Sequence, residues 1–155
     1  MNVKFLNPFT DAASKVLEAE CGLVVSKGQL SMQKSALTAD EVTVLISLVG
    51  QVEGIVLYGM KISTALGLVS RVMDQEFSEF DDLAKSGVAE LGNVITGQAT
   101  IKLSQAGFES QISPPTLIEG MDIEISTLDF QRIVVPLNTD AGLVTVHLGL
   151  RESRS

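Results

Sequence analysis

The sequence has few of the residues that build cross-links and metal sites. Of its 155 residues, one is cysteine, one is histidine and none is tryptophan. A single cysteine, Cys21, excludes an internal disulfide and fits a reducing compartment. Its place at the end of an amphipathic stretch predicts a buried structural thiol. A zinc site needs more ligands than Cys21 and His147 supply, so we expect this chain to bind no metal and no other cofactor. For His147 we predict a structural or solvent-facing position.

Positive charge is scarce as well, because 11 lysines and arginines face 19 aspartates and glutamates, for a net charge of −8. Without a basic cluster we expect no nucleic-acid partner. No secretory leader is visible. The most apolar stretch, residues 42–60, is too polar at its centre to span a bilayer, since Gly50, Gln51, Glu53 and Gly54 interrupt it. We therefore expect a cytoplasmic protein with no membrane partner.

The length predicts one domain over residues 1–155. Apolar residues make up 45% of the sequence and charged residues only 19%, which indicates extra apolar surface at a subunit contact. Periodicity and breakers predict the following elements in order: a helix from Asn7 to Gly22, strands within 23–34, a hairpin of 42–49 and 53–60, helices at 62–73 and 81–106, short strands at 108–112 and 121–127, and a hairpin of 130–137 and 143–150. This order predicts an α+β fold, an α/β sandwich with a mostly antiparallel sheet and long helices packed on one face.

The helix over residues 81–106 is the most informative element. Apolar side chains recur along one side at helical spacing and should face a core: Ala84, Val88, Leu91, Ile95, Ala99, Leu103 and Ala106. The opposite side carries no bulky residue, no lysine and no arginine: Ser86, Glu90, Asn93, Gly97, Thr100 and Ser104. A solvated helix face usually carries long charged side chains, so this small-residue side is a candidate functional surface.

Glu90 and Asn93 are three residues apart and therefore stand side by side on this surface. Gly97 lies one turn further along. Glycine inside a helix costs about 1 kcal/mol relative to alanine, and the close approach of a partner would explain it. The spacing alone also fits two ordinary exposed polar residues, because such pairs are common on helices.

The residues around Glu90 and Asn93 make this pair a more specific signature. Residues 86–93 read SGVAELGN, Gly97 follows, and residues 113–116 read SPPT. This combination resembles the CheX family, within the CheC/CheX/FliY group of chemotaxis phosphatases. The resemblance covers most of the chain, including the opening helix and the hairpin at 42–60. CheC and FliY proteins usually carry the Glu/Asn signature twice, whereas this chain carries it once, as CheX does.

The resemblance implies a phosphatase, a hydrolase acting on the aspartyl phosphate of a CheY-type response regulator in chemotaxis or related two-component signalling. It implies that Glu90 and Asn93 enter the receiver pocket, where Asn93 aims the attacking water and Glu90 pairs with a lysine of the receiver. Ser86, Gly97 and Thr100 would be partner contacts that let the helix enter without clashing. The receiver would supply Mg²⁺. The resemblance also allows a homodimer.

Two other hypotheses remain open at this point. A non-catalytic CheX-like module could bind a receiver as a dimerising or regulatory partner, and the apolar composition fits such an assembly surface equally well. A metal-dependent hydrolase using Asp81, Asp82 and Glu90 is weaker, because acids just before a helix are explained by capping and by the helix dipole.

Overall fold

A computed structural model describes residues 3–34, 37–125 and 131–153. A short 3₁₀ helix, Val3–Phe5, precedes the first α-helix. The α-helices are α1 (Leu6–Cys21), α2 (Ile62–Met73) and α3 (Asp82–Gln105). The strands are β1 (Val25–Lys27), β2 (Ser31–Gln33), β3 (Val42–Gly50), β4 (Val52–Met60), β5 (Ser110–Ile112), β6 (Thr116–Glu119), β7 (Arg132–Thr139) and β8 (Gly142–Glu152). Over these residues, no helix combines the length and apolarity that crossing a membrane requires.

The strands form one antiparallel sheet in the order β1-β7-β8-β4-β3-β5, with β2 also paired to β7 and β6 also paired to β3. Each edge is therefore occupied by two short strands in succession. Pro114 and Pro115 lie between β5 and β6, where they interrupt one edge because proline cannot donate to a ladder.

The three α-helices pack on one face of the sheet and share its main core. Alternate residues of the central strands point into this core, as the two-residue period of a strand requires: Val42, Val44, Ile46, Leu48, Val56, Tyr58, Val144, Val146 and Leu148. The other face carries a smaller apolar cluster of Ile55, Leu57 and Ile125. The predicted fold class, an antiparallel sheet with long helices on one face, is confirmed.

The predicted strand at 121–127 is wrong over its described part, residues 121–125, where Glu124 makes only an isolated β-bridge to Leu37. The chain pairs with β3 earlier, through β6, and then turns at Gly120 and Asp122, which have φ angles of 112° and 60°. Thr38 holds this turn, since its hydroxyl donates to the Gly120 carbonyl at 3.1 Å and accepts from the Ile123 N–H at 3.1 Å. Residues 126–130, which the sequence assigned partly to this strand and to the last hairpin, lie outside the described residues.

Cys21 is buried at the end of α1, as predicted, and burial raises the pKa of its thiol to about 11. His147 is also buried, on the sheet face away from the helices, so its structural role rather than a solvent-facing one is confirmed. Arg132 lies beside it and donates from Nε to His147 Nδ1 at 3.1 Å.

The buried position of His147 predicts that the stability of the fold depends on pH. Burial, and secondarily the charge of Arg132, lower the pKa of His147 from 6.5 to about 4. Between these values the unfolded chain binds a proton that the folded chain does not, so the free energy of unfolding falls as the pH drops through this window. At about 1.4 kcal/mol per pKa unit, the loss reaches about 3 kcal/mol at most. Urea titrations of wild type and His147→Gln between pH 4 and 7 should show a shallower pH dependence in the variant; parallel curves would contradict this assignment.

Candidate functional site

The candidate site lies on α3, whose two ends are fixed by local interactions. Asp81 is the N-cap, and its Oδ1 accepts a hydrogen bond from the Ala84 N–H at 2.9 Å. At the other end the Phe108 N–H donates to the Leu103 carbonyl at 2.9 Å, and Gly107 has a φ of 95°. The helix therefore begins and ends within one residue of the predicted bounds. Asp81 acts as a capping residue, as predicted.

One side of α3 packs into the main core. Its buried residues are Ala84, Val88, Leu91, Gly92, Ile95, Thr96, Ala99 and Leu103. Ala106 was predicted to belong to this side but is exposed, because the helix has already ended there. At Gly92 a Cβ would lie 3.0 Å from Val44 Cγ1 and 3.3 Å from Tyr58 Cδ2, so the close approach of the sheet explains this glycine.

A polar pair that the sequence did not predict joins α3 to the sheet. The hydroxyls of Tyr58 and Thr96 lie 2.7 Å apart in the core, and Thr96 Oγ1 is 2.8 Å from the Gly92 carbonyl oxygen. Burial raises the pKa of Tyr58 above its usual value, so it stays protonated. The pair satisfies two buried polar groups and links α3 to β4.

The opposite side of α3 carries the predicted signature residues. Ser86 and Glu90 are exposed, and Asn93 and Gly97 are partly exposed. Over the described parts of the chain, the Glu90 and Asn93 side chains make no hydrogen bond or ion pair. Both functional groups are therefore available to a partner. The structure brings them together on one exposed face, in the arrangement that the three-residue spacing predicted.

Gly97 differs from the other glycines of this helix. A Cβ at Gly97 would meet nothing within 4 Å, whereas a Cβ at Gly87 would lie 2.7 Å from Met73 Cε. No packing within the described residues therefore calls for a glycine at this position. Thr100 lies one turn further on, and its hydroxyl donates to the Gly97 carbonyl at 2.8 Å. Thr100 thus offers a partner its methyl group and its oxygen lone pairs.

The exposed side of α3 is more apolar than the predicted stripe of small and polar residues. Leu83 is 50% exposed and Ile101 is 60% exposed. They stand seven residues before and eleven residues after Glu90, which places all three on the same side of the helix. A division of the helix into two opposite stripes leaves out the apolar side chains at both ends of this face. We call the face formed by Leu83, Ser86, Glu90, Asn93, Gly97, Thr100 and Ile101 the α3 ridge.

A cleft of about 220 Å³ runs beside Glu90, between α3 and the C-terminal ends of α1 and α2. It is lined by Glu20, Val72, Met73, Gly87, Glu90, Leu91 and Val94. Within the described ranges, this cleft included, there is no group of three or more histidine, cysteine, aspartate or glutamate residues placed to hold a metal ion. Asp81, Asp82 and Glu90 therefore do not form the metal site that the weakest hypothesis required.

Comparison with known proteins gives the same family as the sequence signature. Residues 42–138, which include α3 and both proline residues after it, match the family model described as chemotaxis phosphatase CheX. The CheY-P phosphatase CheX of Thermotoga maritima is 28% identical over 128 residues, which is 82% of this chain and 83% of that protein.

Solved structures agree over nearly the whole chain. A chain in the crystal structure of the CheX–CheY–BeF3–Mg²⁺ complex from Borrelia burgdorferi is 33% identical, with a TM-score of 0.80, over 97% of this chain and 100% of that one. A CheC-like superfamily protein from Shewanella sp. PV-4 is 27% identical, with a TM-score of 0.86, over 97% of this chain and 99% of that one. Because the family model spans more than half of the sequence, the chain belongs to the CheX family of chemotaxis phosphatases.

Proposed function

We propose that this chain is a response-regulator phosphatase that hydrolyses the aspartyl phosphate of a CheY-type receiver, and that Glu90 and Asn93 perform this reaction. Similarity to the CheY-P phosphatase CheX of Thermotoga maritima and to a chain of the CheX–CheY complex from Borrelia burgdorferi supports the substrate class. The observation that carries the residue assignment is the exposed Glu90 and the partly exposed Asn93, which stand side by side on the α3 ridge without a hydrogen bond or ion pair in the described chain.

Asn93 is proposed to position the attacking water. Its carboxamide offers a donor and an acceptor, so it can orient one water in line with the bond from phosphorus to the aspartyl oxygen. The water oxygen bonds to phosphorus as that bond breaks, which yields inorganic phosphate and the free aspartate. Phosphoryl transfer needs positioning and charge stabilisation more than covalent help from the enzyme, so an uncharged amide suffices.

Glu90 is proposed to fix the docked geometry. Its carboxylate can accept charge-assisted hydrogen bonds from a lysine of the receiver, and such bonds are stronger than those between neutral groups. A partner that covers the ridge removes water from this contact, which strengthens it. Glu90 therefore contributes to binding and, by holding Asn93 in register with the phosphoryl group, to turnover.

The small residues of the ridge are proposed as the surface that enters the receiver pocket. Ser86, Gly97 and Thr100 keep the ridge low beside the two functional side chains. Mg²⁺ accompanies CheX and CheY in the Borrelia burgdorferi complex, and we expect the receiver to supply it here. Acting on such a receiver would place the activity in the cytoplasm. The described residues form one sheet with one helical layer, which supports our assignment of residues 1–155 to one CheX-like domain.

The experiment that tests the proposal separates a phosphatase from a binding module. A phosphorylated CheY-type receiver is mixed with this protein at about a hundredth of its concentration, and the phosphate released beyond that from the receiver alone is followed. We expect each molecule to process many receivers. If no more than one extra phosphate is released per molecule of this protein, and the BeF3-activated receiver is stably captured, the chain is a non-catalytic binding module and the phosphatase proposal is wrong.

Gly97→Ala should have opposite effects on the stability of this protein and on its binding to the receiver. The added methyl meets nothing within 4 Å in this chain, and alanine is favoured over glycine in a helix by about 1 kcal/mol, so the free energy of unfolding should rise. The same methyl would stand on the surface that enters the receiver, and overpacking a fitted contact costs about 1–3 kcal/mol. Urea denaturation should therefore show a more stable variant, while binding of the BeF3-activated receiver weakens about tenfold. A variant that gains stability without losing affinity for the receiver would show that Gly97 does not lie in the interface.

A further inference from the structure

The cleft beside Glu90 is not used by the proposed reaction. Its floor and walls are apolar: Val72 and Met73 end α2, and Leu91 and Val94 belong to α3. Val72 is 37% exposed, so apolar surface reaches the mouth. At about 220 Å³ the cleft is smaller than the roughly 300–1,000 Å³ of typical small-molecule sites. It fits one long side chain.

Two carboxylates stand at this apolar cleft. Glu20 comes from the last turn of α1, and Glu90 comes from the α3 ridge. Over the part of the chain that the structure describes, neither is in an ion pair. Arg71, which precedes Val72 on α2, donates instead to the Gly67 carbonyl of its own helix at 3.3 Å. The cleft therefore combines an apolar interior with two carboxylates that form no ion pair within the described residues.

The apolar interior and the carboxylates together indicate which kind of side chain would bind in the cleft. Lysine and arginine bury an aliphatic stem against apolar surface while the charged end stays near water or a carboxylate. A purely apolar side chain would fill the interior but would draw the Glu20 carboxylate out of water without a partner, which is costly. A basic side chain satisfies both parts of the cleft.

Glu90 belongs to both the cleft and the α3 ridge, so the cleft opens beside the surface that the proposed receiver would cover. We propose that the cleft is a specificity subsite that takes one lysine or arginine side chain from the receiver surface outside its phosphorylation pocket, with the charged end held by Glu20. This inference rests on the proposed function. It makes Glu20 a docking residue that takes no part in the chemistry, and it predicts preference for receivers with a basic residue at that position.

The test uses Glu20→Lys and the matched control Glu18→Lys, which makes the same charge change two residues earlier on α1 at an exposed position outside the cleft. Steady-state phosphate release from a phosphorylated CheY-type receiver is measured at low and at physiological salt. We expect Glu20→Lys to raise KM about fivefold or more at low salt, with kcat within twofold of wild type and a smaller KM effect at higher salt. Glu18→Lys should raise KM much less.

The outcomes distinguish this inference from the proposed function. Normal turnover by the wild type with equal KM values for the two variants would overturn the cleft assignment and leave the phosphatase intact. No turnover by the wild type would overturn the proposed function itself. A second arm replaces each basic residue around the receiver pocket by glutamate; one replacement should restore the KM of Glu20→Lys, and failure of every replacement to do so would also count against the subsite.

Discussion

Asn93→Ala is expected to lower the maximal rate of receiver dephosphorylation about 100-fold or more, with little change in receiver affinity. The side chain stands free on the α3 ridge and makes no hydrogen bond within the described residues, so its removal should leave the fold and the docking surface in place. What is lost is the amide that orients the attacking water, and a misplaced reactant of this kind costs about 100-fold. The readouts are kcat for phosphate release and Kd for the BeF3-activated receiver.

Gln98→Ala is the matched control, because Gln98 is an exposed carboxamide on the same helix, five residues from Asn93 and on a different side. It should retain wild-type kcat and Kd. A drop of similar size in both variants would mean that the effect comes from the helix as a whole. If Asn93→Ala kept the wild-type kcat, the proposed role of Asn93 in positioning the water would be wrong.

Glu90→Ala is expected to lower kcat/KM about 30-fold or more and, unlike Asn93→Ala, to weaken receiver binding as well. Truncating one partner of a charge pair that is buried in a complex costs about 2–5 kcal/mol, partly because the other charge is left unpaired. The exposed carboxylate has no partner in the described chain, so the free protein should keep its stability. Binding by calorimetry and turnover under the same conditions give the two parts of the effect.

Glu76→Ala serves as its control, since it removes one negative charge from an exposed position in the connection between α2 and α3. It changes the net charge equally and should leave binding and turnover near wild type. Comparable losses in both variants would indicate that Glu90 acts only through the overall negative potential. Unchanged binding in Glu90→Ala would contradict a pairing with the receiver.

The helices and the central hairpin could be predicted because their signals are local. α2 spans Ile62–Met73, as the periodicity predicted, and α3 spans Asp82–Gln105 against a predicted 81–106. The helical repeat alone predicts that Glu90 and Asn93 lie on the same side of α3. The glycine at position 97 was also informative, because its cost in a helix has no compensation inside the described structure.

Features that depend on distant residues could not be predicted. Residues 121–125 alternate apolar and acidic side chains as a strand does, but Thr38 holds them in a turn from more than eighty residues away. Likewise, the Tyr58–Thr96 pair and the Arg132–His147 contact each join elements far apart in the chain. The cleft beside Glu90 requires the ends of α1 and α2 to meet α3, and no local pattern encodes that meeting.

The measurement that tests the central claim most directly is the decay rate of a phosphorylated CheY-type receiver with saturating wild-type protein, with saturating Asn93→Ala and with no protein. We predict clear acceleration by the wild type and a rate with Asn93→Ala close to that of the receiver alone. Equal rates with wild type and with no protein would contradict the phosphatase activity. Equal acceleration by wild type and Asn93→Ala would contradict the assignment of the chemistry to the α3 ridge.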